Sequence, residues 1–277
     1  MSQILILAGK EITDGMRNRW VLMVTLLMAG LALVLALLGS VPTGTTKVSA
    51  LAVIIVSLSS LSIFFIPLIA LLLSYDSLVG EADRGTLMLL LAYPVTRGQV
   101  VLGKFCGHLV LLAIAIVIGY GSAGAAVAVM AGADWPDQAW GAFFGLIASS
   151  VLLGAVFIAI GLAINARVKE RGAAAGLAIG AWLLFALIYD MALLGLLASD
   201  AGRHLDDTVV SALLLFNPAD AFRMLNLAGH GDVAALSGMA SLSAAGTVPQ
   251  PVLLGVLAAW VAVPLTAGCL LFRGRQP

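Results

Sequence analysis

The residues able to do chemistry are few, and most fail the spacing that chemistry needs. Gly98, Gly103 and Lys104 fit G-x-x-x-x-G-K. A phosphate-binding loop follows that lysine with Ser or Thr to hold magnesium, and a strand precedes it. Here Phe105 follows and the segment opens an apolar run, so no nucleotide site is expected. His204, Met224, His230 and Met239 are the soft-ligand candidates of the second half, with no H-x-x-x-H or M-x-x-M spacing. Copper(I) selects clustered soft ligands, so no metal site is expected. Cys106 and Cys269 form no C-x-x-C pair and read as packing residues. There is no H-E-x-x-H, no acid pair at mid-span and no Ser/His pair, so no catalytic residue is assigned. Asp190 is the sharpest candidate, an acid inside an apolar run. Counted from Gly172 at 1.5 Å per residue, it lies roughly 27 Å along its helix, toward the far interface. It could meet substrate, pair with Arg223 or dock an outer partner, and a solvated or paired structural acid stays equally open.

The elements that must carry these residues follow from composition. The 277-residue chain is 62% hydrophobic and 10% charged, against about 25% charged in soluble domains. With a mean hydropathy of +1.11, it reads as an all-α integral membrane protein in one domain, residues 1–277. Zero net charge implies no pull toward nucleic acid. Residues 1–18 place Ile4, Leu5, Ala8, Ile12 and Met16 on one helical stripe, an amphipathic helix for the lipid interface. Six apolar runs then follow at about 20–38, 51–73, 104–130, 141–164, 172–197 and 252–272, each near the 20 or so residues a spanning helix needs. The first is longer than the apolar part of a signal peptide, so no cleavable leader is expected. Pro67 should kink the second run, and Ser57, Ser59, Ser60 and Ser62 either line a polar path or bond to neighbouring backbone. Of the fourteen Lys and Arg, all but Lys47, Arg203 and Arg223 then fall on one side. The positive-inside rule puts that side, with both termini, in the cytosol.

Two polar segments interrupt this plan. Residues 74–99 form an inner loop, within which Glu81 to Ala92 is expected as one helix with Leu87, Leu90 and Leu91 on one side. Tyr93-Pro94 should end it and Thr96-Arg97-Gly98 turn the chain back to the membrane. Residues 198–251 form the outer loop. Its apolar stretch 208–216 is too short to cross, and Asn217-Pro218-Ala219-Asp220 reads as a helix start leading to Arg223. Asp134, Pro136 and Asp137 mark a second outer turn, with Trp135 and Trp140 as interface anchors, and 228–250 is rich in Gly, Ala and Ser. Asp190, Asn217, Asp220 and Arg223 are the candidates for contact with an outer partner or substrate. Asn165 reads as a helix terminator. Gly172, Gly176 and Gly180 make a small-residue face for close helix packing, within the chain or across a dimer seam, the former being the safer expectation.

Glu81, Gly85-Thr86-Leu87, Leu91, Pro94, Arg97 and Lys104 resemble the inner-loop signature of ABC-2 type permeases. Residues 10–20, the run FIPLIALLLSYDSLVGE ending at Glu81 and the run LLLFNPADAFRMLNL ending at Leu227 are similar to one branch of that family. That branch comprises the membrane subunits of the transporter that matures nitrous oxide reductase. The resemblance covers nearly the whole chain. It implies that Glu81, Arg84, Gly85, Thr86, Leu87, Pro94 and Arg97 couple the chain to an ATPase. It also implies the partners: a second copy of this chain, a dimer of cytosolic ABC ATPases that binds ATP and magnesium, and a periplasmic β-helical protein. Indirect partners would be a copper chaperone and nitrous oxide reductase itself, and the setting a bacterial inner membrane with its lipid. No cofactor is expected on this chain. Passage of a sulfur species and pure transmission of movement both remain open.

Overall fold

The structure is a computed structural model that describes residues 3–39, 50–131, 137–199, 205–227 and 248–274. The expected turns at 40–44 and 134–136, the stretch 228–247, and Lys47, Arg203, His204, His230, Met239 and Arg275 lie outside the described residues.

The described residues are mostly helical, with short turns between helices and no strand among them. In chain order they form α1 (Gln3–Arg17), α2 (Arg19–Gly39), α3 (Ala50–Ser74), α4 (Val79–Asp83), α5 (Thr86–Leu91), α6 (Arg97–Ala131) and α7 (Asp137–Arg167). Then come α8 (Arg171–Leu183), a π-helical turn (Leu184–Ile188), α9 (Tyr189–Ala198), α10 (Asp207–Leu215), α11 (Pro218–Leu227) and α12 (Gln250–Arg273). Five stretches are long and apolar enough to cross a membrane: Ile54–Asp83, Arg97–Val129, Trp140–Arg167, Arg171–Ala198 and Gln250–Arg273. Two bent helix pairs raise the count to as many as seven: Gln3–Arg17 with Val21–Leu35 at 71°, and Thr208–Leu215 with Pro218–Asn226 at 112°. The expected first span therefore counts only as the second arm of a bent pair.

α6 begins at Arg97, seven residues before the apolar run suggested. Thr96 and Gln99 form a reciprocal capping box: the Thr96 N–H donates to Gln99 Oε1 at 2.8 Å, and the Gln99 N–H to Thr96 Oγ1 at 3.3 Å. Hydropathy marks where a helix enters lipid, whereas the cap marks where it starts. The expected single helix from Glu81 to Ala92 is instead two, α4 and α5. Gly85 separates them with φ +70°, a conformation that costs residues with a Cβ far more than Gly.

The bundle packs α6 and α7 against α1, α2, α3 and α12. Tyr120, Phe143, Phe157, Phe222 and Phe272 are fully buried in it. Gly268 allows a close approach between α12 and α7: a Cβ there would lie 3.3 Å from Ala163 Cα. The kink-prone Pro67 lies inside α3, and Pro264 inside α12. The alternative left open for the serines of α3 is decided at Ser62 alone. Its hydroxyl lies 2.7 Å from the Leu58 carbonyl and 2.6 Å from Tyr120 Oη, so it ties α3 to α6 rather than facing a channel.

The stretch from α8 through α9, like α12, is mostly uncovered within one chain. Around Gly172, Gly176 and Gly180, an added Cβ would meet nothing within 4 Å. Close packing of this face within the chain, the safer expectation, is therefore not what the fold does. α8 turns the face outward because its other side, with Ala174 and Ala178, is the one buried on the bundle.

Candidate coupling site

One end of the bundle gathers Lys10 of α1, Arg84 after α4, Arg97 and Lys104 of α6 and Arg171 of α8. α1 reaches α6 because α6 offers two glycines one turn apart. A Cβ at Gly103 would lie 2.5 Å from Leu7 Cβ, and one at Gly107 2.5 Å from Glu11 Cβ. The Gly103-Lys104 pair that mimics a phosphate loop is thus a helix-crossing point. The amphipathic face of α1 puts Ala8 against α6 and leaves Leu5, Ile6 and Met16 exposed.

At this crossing sits a cluster of buried charge. Lys104, only 3% exposed, lies 2.8 Å from Glu11 Oε1 and 3.0 Å from Glu81 Oε1. Lys10 reaches the same Glu81 oxygen at 3.2 Å from the solvent side. One cation deep in the site thus holds two carboxylates, on α1 and α4, and a second cation caps them. Burial pushes the Glu11 carboxyl upward, but Lys104 foremost, with His108 and Lys10, brings it below its ordinary value of 4.5. Lys10 ends above its ordinary 10.5: burial opposes this and the Glu81 carboxylate outweighs it.

The segment that carries Glu81 is fixed on its other side by Asn165, which is fully buried. Its amide donates to the Ser74 carbonyl at 2.7 Å, and its Oδ1 accepts from the Val79 N–H at 2.8 Å. Asn165 is therefore not simply a helix terminator but a bridge from α7 across the turn between α3 and α4. Arg171, at the start of α8, adds Nε to Asp76 Oδ1 at 2.8 Å and to Asp83 at 3.4 Å.

The other expected coupling residues fall around this anchor. Thr86 Oγ1 donates to the Glu81 carbonyl at 3.1 Å, bridging the Gly85 break. Leu87 is buried, and Leu90 and Leu91 pack half-buried on the core, so the apolar side of the segment faces inward as expected. Arg84 is exposed. The Pro94 carbonyl accepts from the Gln3 side chain of α1. Arg97 donates to the Phe272 carbonyl at 3.0 Å and lies 5.6 Å from the centre of the Phe272 ring, tying the start of α6 to the end of α12. The described ends of the chain, α1 and α12, therefore lie at the same end of the bundle.

Sequence reading missed Lys10, Glu11, Gly107 and the outward face of α5, where Met88, Leu89 and Tyr93 are each about two-thirds exposed. The signal for the first three was present: a charged pair on the polar side of an amphipathic helix, and a G-x-x-x-G spacing in α6.

A second cluster joins α9, the π-helical turn and α11. Asp190 pairs with Arg223 at 2.9 Å, and Arg223 also holds Asp220 at 2.8 Å. Asn217 caps α11, its Oδ1 accepting from the Ala219 N–H at 3.0 Å. Its amide donates to Asp220 at 2.9 Å and to the Phe185 carbonyl at 3.0 Å. That carbonyl belongs to the π-helical turn, where one residue too many per turn frees a backbone acceptor. The four outer candidates are thus brought together, with Asp190 paired.

Among the described residues no group of three or more His, Cys, Asp or Glu is placed to hold a metal ion.

The family description "ABC-2 family transporter protein" matches residues 5–276. The chain is 44% identical over 275 residues, 99% of each chain, to a probable ABC transporter permease protein NosY of Stutzerimonas stutzeri. It is 43% identical over 269 residues, 97% of each chain, to the protein of the same description from Pseudomonas aeruginosa PAO1.

Proposed function

The chain belongs to the ABC-2 family of transporter proteins, and we propose that it is the permease subunit of a complex that matures nitrous oxide reductase. A permease subunit of an ABC transporter has no ATPase site of its own, so hydrolysis falls to a separate cytosolic chain. In this reading two copies of the chain span the bacterial inner membrane with six spans each and both termini in the cytosol. A β-helical protein sits on the periplasmic side, and a copper chaperone and the reductase act beyond it. The cycle assists assembly of the copper-sulfur site, by transmitted movement, by passage of a sulfur species, or by both.

The observation that carries the reading is the Glu81 carboxylate, held at once by Lys104 of α6 and Lys10 of α1. The exposed side chains Met88, Leu89 and Tyr93 would enter a cleft of the ATPase. A push on them reaches α4 through the short Gly85 turn, and from Glu81 it passes into α6 and α1 together. Arg97 carries the same movement to α12. A load on a buried ion pair is transmitted because moving one charge away from the other leaves both without compensation in a poorly solvated site.

The test is the visible spectrum and copper content of nitrous oxide reductase from cells lacking the chain, then from cells carrying Glu81→Gln or Arg97→Gln. The deletion should remove the tetranuclear copper-sulfur centre and leave the dinuclear copper centre. The variants should keep ATP hydrolysis and lose maturation. Both centres intact in the deletion would leave a generic ABC-2 exporter of a small amphiphile, and full maturation by both variants would end the coupling role of these residues.

A further inference from the structure

The π-helical turn Leu184–Ile188 keeps its extra residue by an exchange of hydrogen bonds. The Tyr189 N–H donates to the Leu184 carbonyl, five residues back. In an α-helix it would donate four residues back, to the Phe185 carbonyl. Phe185 thus loses its backbone donor, and the Asn217 amide of α11 takes that place at 3.0 Å. π turns are rare, and many of them mark functional sites. This one persists with the help of a side chain from another element.

The two arms beside the turn are held differently. α8 is fastened to the bundle: Ala174 and Ala178 are buried, the Trp182 indole donates to the Phe64 carbonyl of α3 at 2.9 Å, and Arg171 pairs with Asp76. α9 has no buried residue. Met191 and Leu194 are 72% and 66% exposed, and Leu193, Leu196 and Leu197 make the helix apolar on its other sides. Because lipid tails are as apolar as leucine, such a helix can turn about its axis with little change in solvation. The ties that place it are polar: Asp190 to Arg223 at 2.9 Å, Asp190 to the Asn217 amide at 3.3 Å, and the Tyr189 hydroxyl to the Leu213 carbonyl at 2.6 Å.

At each of these ties α9 is the surplus partner. Arg223 also holds Asp220 at 2.8 Å, and Asp220 is only 2% exposed, so without Asp190 the remaining pair is neutral. The Asn217 amide has two hydrogens for three acceptors, on Phe185, Asp190 and Asp220. The Leu213 carbonyl also accepts from the Phe216 N–H at 3.1 Å. Releasing α9 therefore leaves Arg223, Asp220, Asn217 and the Leu213 carbonyl each with a partner. We propose that the π turn is a two-position register switch, and that Asn217 selects the register. In the second position the Tyr189 N–H returns to the Phe185 carbonyl and the turn becomes α-helical. α9 then rotates by about 100° and advances by about 1.5 Å relative to α8, the rotation and rise of one residue. Asp190, already 22% exposed, swings off Arg223 and Asn217. This switch rests on the fold alone and stands whether or not the chain couples to an ATPase.

The experiment uses the full-length chain in nanodiscs, carrying Cys106→Ser and Cys269→Ser, with nitroxide labels at Leu194→Cys of α9 and Phe144→Cys of α7, both exposed. Labelled chains are diluted with unlabelled cysteine-free chain, so that only distances within one chain are read. Double electron–electron resonance should give two distances, because the rotation carries the α9 label to a different side of its helix. Asp190→Ala and Asn217→Ser should each enlarge the fraction at the second distance about fivefold, the worth of one net hydrogen bond. Serine still caps α11 but lacks the amide donor. Deleting Leu187 removes the extra residue, so the turn becomes α-helical with α9 kept in its present orientation. In that background a single distance should remain, and neither substitution should change it. An unchanged distribution in Asp190→Ala overturns the proposal whatever Asn217→Ser does. An equal response to the substitutions with Leu187 deleted overturns it too, since it would mark a loosening of α11 and not a change of register.

Discussion

Replacing Glu81 or Lys104 by an apolar residue should expose how tightly α4 is bound to α6. The Lys104 Nζ sits 3.0 Å from Glu81 Oε1 and 2.8 Å from Glu11 Oε1, with Lys104 3% exposed. At an effective dielectric of about 20, each contact is worth roughly 5.5–6 kcal/mol before desolvation is charged against it. Removing one partner of a buried pair costs about 3–5 kcal/mol, because the other charge is left without compensation. Glu81→Leu should sit near the low end, about 3 kcal/mol, since Glu11 still holds Lys104. Lys104→Met should sit near the high end, about 5 kcal/mol, since it leaves two carboxylates facing one another with only half-exposed Lys10 between them. Glu81→Leu with Lys104→Met removes both charges, so its loss should fall short of the sum by about 2 kcal/mol or more. The assay is denaturant titration of the full-length chain in mixed micelles, completed as a double-mutant cycle. Losses that add to within about 0.5 kcal/mol would mean the two side chains do not feel each other, and the buried tie from the inner segment to α6 would be refuted.

Three further outcomes follow from the same geometry. Gly107→Ala, which drives a Cβ to 2.5 Å from Glu11 Cβ, should lower stability by about 1–3 kcal/mol, whereas Gly98→Ala should be neutral or better; equal effects in the same titration would refute the α1–α6 crossing. Asn165→Leu leaves the Val79 N–H without its partner and the Ser74 carbonyl with only the Ser77 N–H, at about 1–3 kcal/mol for the orphaned N–H, and hydrogen exchange at Val79 should accelerate; unchanged protection there would refute the bridge. For pH, Glu11 is held below 4.5, so its contribution is complete above the ordinary carboxylate value and lost as pH falls through the lower folded value. Lys10 is held above 10.5, so its contribution is complete below that value and lost as pH rises through the higher folded value. Protection of the α1 backbone should therefore fall at both ends of the pH range, on the acid side as Glu11 is protonated and on the alkaline side as Lys10 is neutralised, and a rise toward either end would contradict the cluster.

The sequence by itself determined the membrane-spanning, all-helical character of the chain, the amphipathic first helix and the helix start at Asn217. Each rests on a local signal: an apolar run long enough for a bilayer, a stripe at helical spacing, or a capping residue before a proline. It also carried the correct pairing of Asp190 with Arg223, though only as one choice among several. Tertiary structure decided the rest, because partnership across distant segments leaves no local trace. Lys104 and Glu81 are separated by an entire helical excursion, and only the α1–α6 crossing at Gly103 and Gly107 brings Glu11 and Lys10 to the same point. The break at Gly85 was hidden because a glycine reads the same in a helix as in the left-handed turn it adopts here. Whether Gly172, Gly176 and Gly180 face inward depends on which side of α8 the bundle buries. In an apolar helix both sides look alike to the sequence, since lipid and protein interior have nearly the same polarity.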